Sequence, residues 1–411
     1  MNKLRKCILF IGGGIETTPG VKYAKSIGLK VIVSDLNPLA PCMEFADYKI
    51  IQDIYDIEQS YKSAKKIHDT IQKIDGVICM ASDVPLTVSY IASKLALPGI
   101  PVNSAKIVSD KVLMKSVFNE HKLPVPMFDE IFSIEDLRKK LNSYQFPIVI
   151  KPVDSRGARG VQKINKIADI DQAFKIAKSY SPTNRVMIEE YLEGPQISTE
   201  SLVVKKKVHT IGFSDRNYEF LEKYSPYIIE NGGDLPSFLN IESQNSIKDT
   251  LSKTATALGI ENGVIKGDMV FSSGKPYIIE VAARLSGGYF CSHEIPLNTG
   301  VDFVAQAIKI ALGEEISSDD LRIKSNTGVS QRYFFPKPGK ILNISVPDWV
   351  YRNPHVCLFE LRCKVGDIVS NITHHPSRAG LVICSGKNNK DARQLAKEVV
   401  DSVKIETKIE T

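Results

Sequence analysis

A chain of 411 residues is too long for one ordinary hydrophobic core, and two to four domains are expected. Its 43% hydrophobic and 24% charged residues are the composition of a globular protein with ample core material. The net charge of +6 comes from 53 basic and 47 acidic residues spread along the chain, with only short clusters such as Lys139-Lys140 and residues 205–207, which argues against a nucleic-acid partner.

The seven cysteines, Cys7, Cys42, Cys79, Cys291, Cys357, Cys363 and Cys384, form no CxxC pair. They read as reduced, mostly buried thiols, and with them a cytoplasmic setting is expected. The opening MNKLRKCILFIGGG has a basic start, but an apolar run of about five residues ending in glycines is neither a signal peptide nor a membrane span.

In chain order, residues 7–11 form an apolar strand that feeds Gly12-Gly13-Gly14, residues 21–27 a helix, and 30–34 a second strand ending at Asp35. This is the opening of a doubly wound parallel sheet. Thr17, Thr18 and Pro19 stand where a dinucleotide fingerprint needs its last glycine and helix start, so the glycines are read as a tight turn. Helices over 64–74 and 84–95, a strand over 76–80 and a short edge segment at 98–101 complete an α/β domain ending near Ser109. Asp83 either faces a ligand at the carboxyl end of the sheet or caps the following helix.

Asp110-Lys111 opens a helix over 112–120. A strand PIVIK at 147–151 ends in a lysine, and the loop DSRGARG at 154–160 follows before a strand at 161–164. Such a glycine-containing loop folds over phosphates, or else is an exposed hairpin tip. A helix at 173–179, a strand at 185–190, a hairpin of 197–204 with 208–213, and a weakly hydrophobic loop at 229–236 containing Gly232-Gly233 come next. Residues 300–312 read as an amphipathic helix, residues from about 317 as short strands, and 390–403 as a closing helix.

The stretch GDMVFSSGKPYIIEVAARLSGG at 267–288 is the chemical centre. Apolar runs at 269–271 and 277–279 flank Ser272-Ser273-Gly274-Lys275, as in a β-hairpin with a four- to five-residue loop. Pairing of the strands brings Asp268 close to Glu280, where a cation such as magnesium relieves their repulsion. Arg284 and the side-chain-poor Ser286-Gly287-Gly288 follow. The other reading is an ordinary exposed hairpin with scattered charges.

Taken together, these pieces resemble the ATP-grasp enzymes, and specifically their carboxylate–amine or thiol ligases, which include L-amino-acid ligases. The motifs are Asp110-Lys111, PIVIKP at 147–152, DSRGARGV at 154–161, IEEYLEG at 188–194, and the pair Asp268 and Glu280 leading into EVAARLSGG at 280–288. The resemblance implies a multidomain α/β and α+β fold: a parallel pre-ATP-grasp domain at 1–109, an ATP-grasp domain of two lobes at 110–316, and a mainly β domain with a closing helix at 317–411.

It further implies that Lys111 and Lys151 contact ATP phosphates, and that the loop with Ser155, Arg156, Gly157 and Gly160 closes over them. Glu189 would bond the adenine amino group, Glu190, Tyr191 and Leu192 would line the ring edge, and Gln196 would stand where a ribose-binding glutamate is usual. Asp268 and Glu280 would ligate magnesium, with manganese as the alternative ion, and Ala282 replaces an asparagine that many relatives use as a further ligand. Arg284 and Lys151 would be catalytic, with Arg284 binding the acyl phosphate, and Glu230, Arg284, Ser286, Gly287 and Asn298 are candidates for the substrate pocket.

The implied reaction activates a carboxylate as an acyl phosphate and joins it to an amine, releasing ADP and phosphate. Partners would be small-molecule acids and amines, with no nucleic acid or membrane, and a homodimer is an open option. His355, His374 and His375 are read as structural and remote from the site. The rival readings are a nucleotide-binding module without chemistry and a nicotinamide oxidoreductase built on the N-terminal sheet.

Overall fold

The computed structural model describes residues 5–409; the basic start at residues 1–4 and the last two residues of the 317–411 segment lie outside the described residues. Strands β1 (Cys7–Ile11), β2 (Lys30–Asp35), β3 (Tyr48–Ile51) and β4 (Gly76–Ile78) form a parallel sheet in the order β3-β2-β1-β4. Strand β1 is apolar throughout because both of its faces are covered. Cys7, Leu9 and Ile11 pack with Ile32, Ala64 and Ile91, while Ile8 and Phe10 pack with Val31, Val33 and the far-off helix Phe303–Ala311.

The glycine turn after β1 is closed within the protein. Gly12 N–H donates to the Ser34 carbonyl at 2.8 Å and Gly13 N–H to the Asp35 carboxylate at 2.7 Å. A Cβ on Gly12 would lie 2.1 Å from Ser82 Oγ. Asp35, the acid a dinucleotide ribose would need, is therefore engaged by the turn, and the oxidoreductase reading loses its site.

Some boundaries differ from expectation. The first helix is Thr18–Ser26, starting earlier because Pro19 fits its first turn. The second is Ile57–Thr70 rather than 64–74, opened by the Asp56 carboxylate accepting from Gln59 N–H. Residues 98–101 form no strand, and the helix Val102–Val108 follows them.

Strands β5 (Phe128–Ile131), β6 (Ile148–Pro152), β7 (Gln162–Ile164) and β8 (Val186–Glu190) make an antiparallel sheet in the order β5-β8-β6-β7. Ile148, Ile150, Val186 and Ile188 pack onto the helices Ile134–Lys140 and Ile170–Ser179. By alternation the opposite face carries Val149, Lys151, Met187 and Glu189, with Val149 paired to Glu189.

The remaining strands are β9 (Gln196–Val204), β10 (Lys207–Arg216), β11 (Gly233–Leu235), β12 (Gly263–Ser272), β13 (Lys275–Ala282), β14 (Gly328–Tyr333), β15 (Gly339–Ser345), β16 (Val356–Leu361), β17 (Ile368–Val369), β18 (Gly380–Gly386) and β19 (Lys404–Lys408). Eight of them form one sheet, β13-β12-β9-β10-β11-β14-β18-β16, and β17-β15-β19 a small one. The expected loop at 229–236 thus contains β11, which joins β10 to β14 and carries the sheet across residue 317.

The β12–β13 turn is shorter than the expected four to five residues. Only Ser273 and Gly274 lie outside the strands, both at positive φ (50° and 77°), the two-residue primed turn whose twist matches antiparallel strands. A helix absent from the sequence reading, Ile241–Ala257, packs Ile247, Leu251 and Ala255 against Ile265, Met269, Ile278 and Val281 on the back of the sheet. Among the described residues no helix is long and apolar enough to cross a membrane.

Candidate active site

Between the two antiparallel sheets, and bordered by the carboxyl end of the parallel one, lies a cleft of about 640 Å³. Its floor follows from strand alternation. Pairs Asp268 with Glu280, Asp268 with Ser198, and Ser198 with Ser214 place these side chains, with Lys266 and Arg216 two residues along their strands, on one face. The apolar residues between them point back into the core.

The two central carboxylates are neutralised by protein cations. Asp268 Oδ1 lies 2.8 Å from Arg216 Nη1 and 2.5 Å from Lys266 Nζ, and Ser198 Oγ is 3.4 Å away. Burial works to raise the Asp268 carboxyl, but Arg216 and Lys266 prevail and hold it well below the usual carboxylate range. Glu280 Oε1 stands 3.5 Å from Lys111 Nζ. The closest of these contacts use Asp268 Oδ1 and Glu280 Oε1, and no hydrogen bond reaches Asp268 Oδ2 or Glu280 Oε2 among the described residues.

At the other wall, Glu189 is buried between two lysines, with Oε1 2.8 Å from Lys115 Nζ and Oε2 2.5 Å from Lys151 Nζ. Burial opposes the Glu189 charge, yet the two ammonium groups lower its pKa. Burial pushes the Lys115 ammonium down to about 8 against the pull of Glu189. The expectation that Glu189 reaches an adenine amino group therefore meets a carboxylate already engaged on both oxygens. Lys115 escaped the sequence reading although it lies one turn from Lys111, beside Met114 and Phe118 on the buried helix face.

Lys111 Nζ donates to the Ser155 carbonyl at 2.8 Å, anchoring the start of loop 154–160. Gly157, Ala158 and Gly160 are at positive φ. The Arg156 guanidinium sits 4.0 Å above the Tyr55 ring, and the Gly157 carbonyl accepts from His375 N–H at 3.0 Å. The loop touches both flanking segments and lines the cleft. Glu190, Tyr191, Leu192 and Gln196 line the connector between β8 and β9, where the chain passes from one antiparallel sheet to the other.

Arg284 faces the cleft with Nε 3.5 Å from Asp83 Oδ1 and no hydrogen bond to that nitrogen. Asp83 does not cap the next helix, whose N-cap Val84 has no side-chain bond. Ser286 N–H donates to Glu200 Oε1 at 2.8 Å and its hydroxyl to the other oxygen, so the hydroxyl proposed for substrate is committed. Gly288 N–H donates to Glu16 Oε2 at 2.7 Å, and a Cβ on Gly287 would lie 2.7 Å from the same oxygen. Neither Glu16 nor Glu200 was singled out from the sequence, although Glu200 is the one acid in strand β9.

Two expectations are corrected. Asn298 does not line the cleft, because its side-chain amide donates to the Thr327 carbonyl at 2.7 Å. His375 does line it, brought in by the loop before β18 and kept neutral by burial, which pushes its imidazole down to about 3. Glu230, a candidate for the substrate pocket, is ion-paired to Arg216.

Among the described residues no three His, Cys, Asp or Glu side chains are clustered as a complete metal cage. Asp268 and Glu280 still fit magnesium, because each offers a hard oxygen that accepts no hydrogen bond among the described residues, and magnesium keeps water and phosphate oxygens as its other ligands.

Known proteins resemble this chain along most of its length. Residues 108–288 match the model of an ATP-grasp domain, and residues 332–408 match domain 2 of the L-amino acid ligase C-terminal region. A carbamoyl-phosphate synthase from Methanobrevibacter smithii is 23% identical over 75% of this chain and 81% of its own. A D-alanine–D-alanine ligase from Prochlorococcus marinus is 29% identical over 41% of this chain and 50% of its own. The chain spans 28% of the Caldanaerobacter subterraneus carbamoyl phosphate synthase large chain that it also matches. The solved L-amino acid ligase from Bacillus licheniformis superposes with a TM-score of 0.84 at 20% identity, covering 99% of this chain and 100% of that one.

Proposed function

Because the chain belongs to the ATP-grasp superfamily of ligases, we propose that its cleft phosphorylates a small-molecule carboxylate with ATP and passes the acyl group to an amine. The observation that carries this reading is the pairing of Asp268 with Glu280 in the same cleft as Lys111, Lys151 and Arg284, under the loop 154–160.

A carboxylate oxygen attacks the γ-phosphorus of ATP, and ADP leaves. Lys111, Lys151 and Arg284 oppose the negative charge that spreads over the phosphoryl oxygens. The amine then attacks the acyl carbon; a C–N bond forms, the C–O bond to phosphate breaks, and the amine sheds a proton to solvent. Bound to Asp268 and Glu280, magnesium would supply further charge neutralisation on the phosphates. Loop 154–160 excludes water that would hydrolyse the acyl phosphate.

Glu189 fixes Lys151 at the phosphates, and Glu190, Tyr191, Leu192 and Gln196 hold the nucleoside. Residues 1–109, 110–316 and 317–411 are the proposed domains, the third extending the sheet of the second. The substrates are sought by incubating the protein with MgATP and pairs of carboxylates and amines, following ADP and identifying the product by mass. Amide product with matching ADP supports the reading; ATP turnover independent of every carboxylate contradicts it.

A further inference from the structure

Three consecutive residues at the start of loop 154–160 are each held by a different part of the chain. The Ser155 carbonyl accepts from Lys111, the Arg156 guanidinium sits 4.0 Å from the centre of the Tyr55 ring, and the Gly157 carbonyl accepts from His375 N–H at 3.0 Å. Tyr55 lies between β3 and the helix Ile57–Thr70, and His375 in the segment before β18, so two walls far apart in sequence meet the loop from opposite sides.

Both walls are fixed where they touch the loop. Tyr55 N–H donates to Asp53 Oδ1 at 2.9 Å, the Ile54 carbonyl accepts from the Thr87 hydroxyl at 2.7 Å, and Asp56 caps the following helix, so the backbone that presents the ring is pinned on either side. Opposite, Arg378 donates to the His375 carbonyl at 2.8 Å and to the Glu230 carbonyl at 3.1 Å, which staples that segment to the chain before β11. Pro376 closes the gap beside it: a Cβ on Gly157 would lie 3.2 Å from Pro376 Cδ.

Arg156 has no carboxylate partner among the described residues; it meets the Tyr55 ring, and its Nη1 lies 3.5 Å from the Asp83 carbonyl. The Asp83 carboxylate faces Arg284 instead. A guanidinium over a tyrosine face shifts a local equilibrium by about 2- to 30-fold, enough to decide whether a glycine-containing loop is mostly closed or mostly open. Resting on the ligase reading for its chemical consequence, we propose that Tyr55 is a positioning residue whose ring, working against the His375-Pro376 wall, keeps loop 154–160 closed on the cleft. The contacts join protein groups alone, so closure does not wait for nucleotide. With the ring gone the loop opens, water attacks the acyl phosphate, and free carboxylate and inorganic phosphate are returned without amide.

The loop carries its own reporters, because trypsin cuts after Arg156 and Arg159. The test is limited trypsin digestion of the full-length protein without nucleotide, with cuts assigned by mass and scaled to cleavage at the exposed turn Lys205-Lys206, whose side chains are 79% and 73% accessible. Tyr55 is 47% exposed, so its replacement leaves the core packing intact, and a rise at the reference turn would expose any unfolding. Tyr55→Leu should raise the scaled cleavage in the loop about 10-fold, whereas Tyr55→Phe, which keeps the ring and loses a hydroxyl that makes no hydrogen bond among the described residues, should stay within about 2-fold of the parent. Parental cleavage in Tyr55→Leu, or an equal rise in both variants, overturns the proposal. With MgATP and a productive acid–amine pair, the parent should release one phosphate per amide and Tyr55→Leu about two or more; an opened loop that still gives one phosphate per amide removes the positioning role. If no pair yields amide in the parent, the ligase reading falls while the digestion still decides whether Tyr55 holds the loop.

Discussion

The two ends of the cleft treat charge differently. Around Glu189, each carboxylate oxygen has its own ammonium group, and Lys115 is fully buried behind the pair. Toward the hairpin, Arg216 is shared between Asp268 and Glu230, and among the described residues no hydrogen bond reaches Asp268 Oδ2 or the Glu280 carboxylate. A closed ion network fixes side chains before any ligand arrives, at the cost of burying charge. Open valences mark where ligand atoms must complete the set. The first end is built as a fixed anchor and the second as a socket.

The largest effect should come from emptying the socket. Glu280→Ala or Arg284→Ala should lower the ligation rate by at least about 10³-fold while the circular dichroism spectrum and melting temperature stay close to the parent. Near-parental turnover in either would remove the role assigned to it. At the anchor, loss of stability should dominate instead. Glu189→Gln leaves Lys115 and Lys151 buried without their anion and should cost about 3–5 kcal/mol in urea unfolding, with a raised KM for ATP. An unchanged unfolding midpoint would show that the triad is not a structural unit.

A subtler contrast is pH. Burial pushes the Glu200 carboxyl up to about 7, above its value in the unfolded chain, so the folded protein holds a proton that the unfolded chain gives up first. Its contribution is present below about pH 4.5 and is lost as pH rises through about 7, up to about 3 kcal/mol. Glu200→Gln, which cannot ionise, should therefore gain on the parent between pH 5 and 8 in urea melts; a gap constant with pH would contradict this. The smallest effect should be at the rim, where Glu16 joins the Gly288 amide to Arg362, 2.6 Å away and partly exposed. Glu16→Gln should cost about 1 kcal/mol or less.

The anchor and the hairpin were legible to different degrees. Asp268 and Glu280 could be placed because a turn signal between two apolar runs sets the register. The helix Ile241–Ala257 was not, because Thr250 and Thr254 take buried positions and return their hydroxyls to the carbonyls of Ser246 and Thr250 at 2.9 and 2.8 Å, blurring the apolar stripe. Nor could sequence spacing show that β11 stitches the sheet across residue 317, since a three-residue strand has no period to read. Lys115 and Glu200 share one trait: each is a buried charge whose partner is fixed only by tertiary contact. Asn298 and His375 were misplaced for the same reason, because the helix Ile295–Thr299 turns Asn298 toward Thr327 and the segment before β18 carries His375 into the cleft.

The most direct test of the central claim follows the oxygen. With a carboxylate substrate labelled with ¹⁸O, activation by phosphorylation requires that one labelled oxygen leave with inorganic phosphate for each amide formed, read by mass spectrometry of the phosphate. One ¹⁸O per phosphate released is the predicted result. Unlabelled phosphate accompanying amide formation would contradict the account.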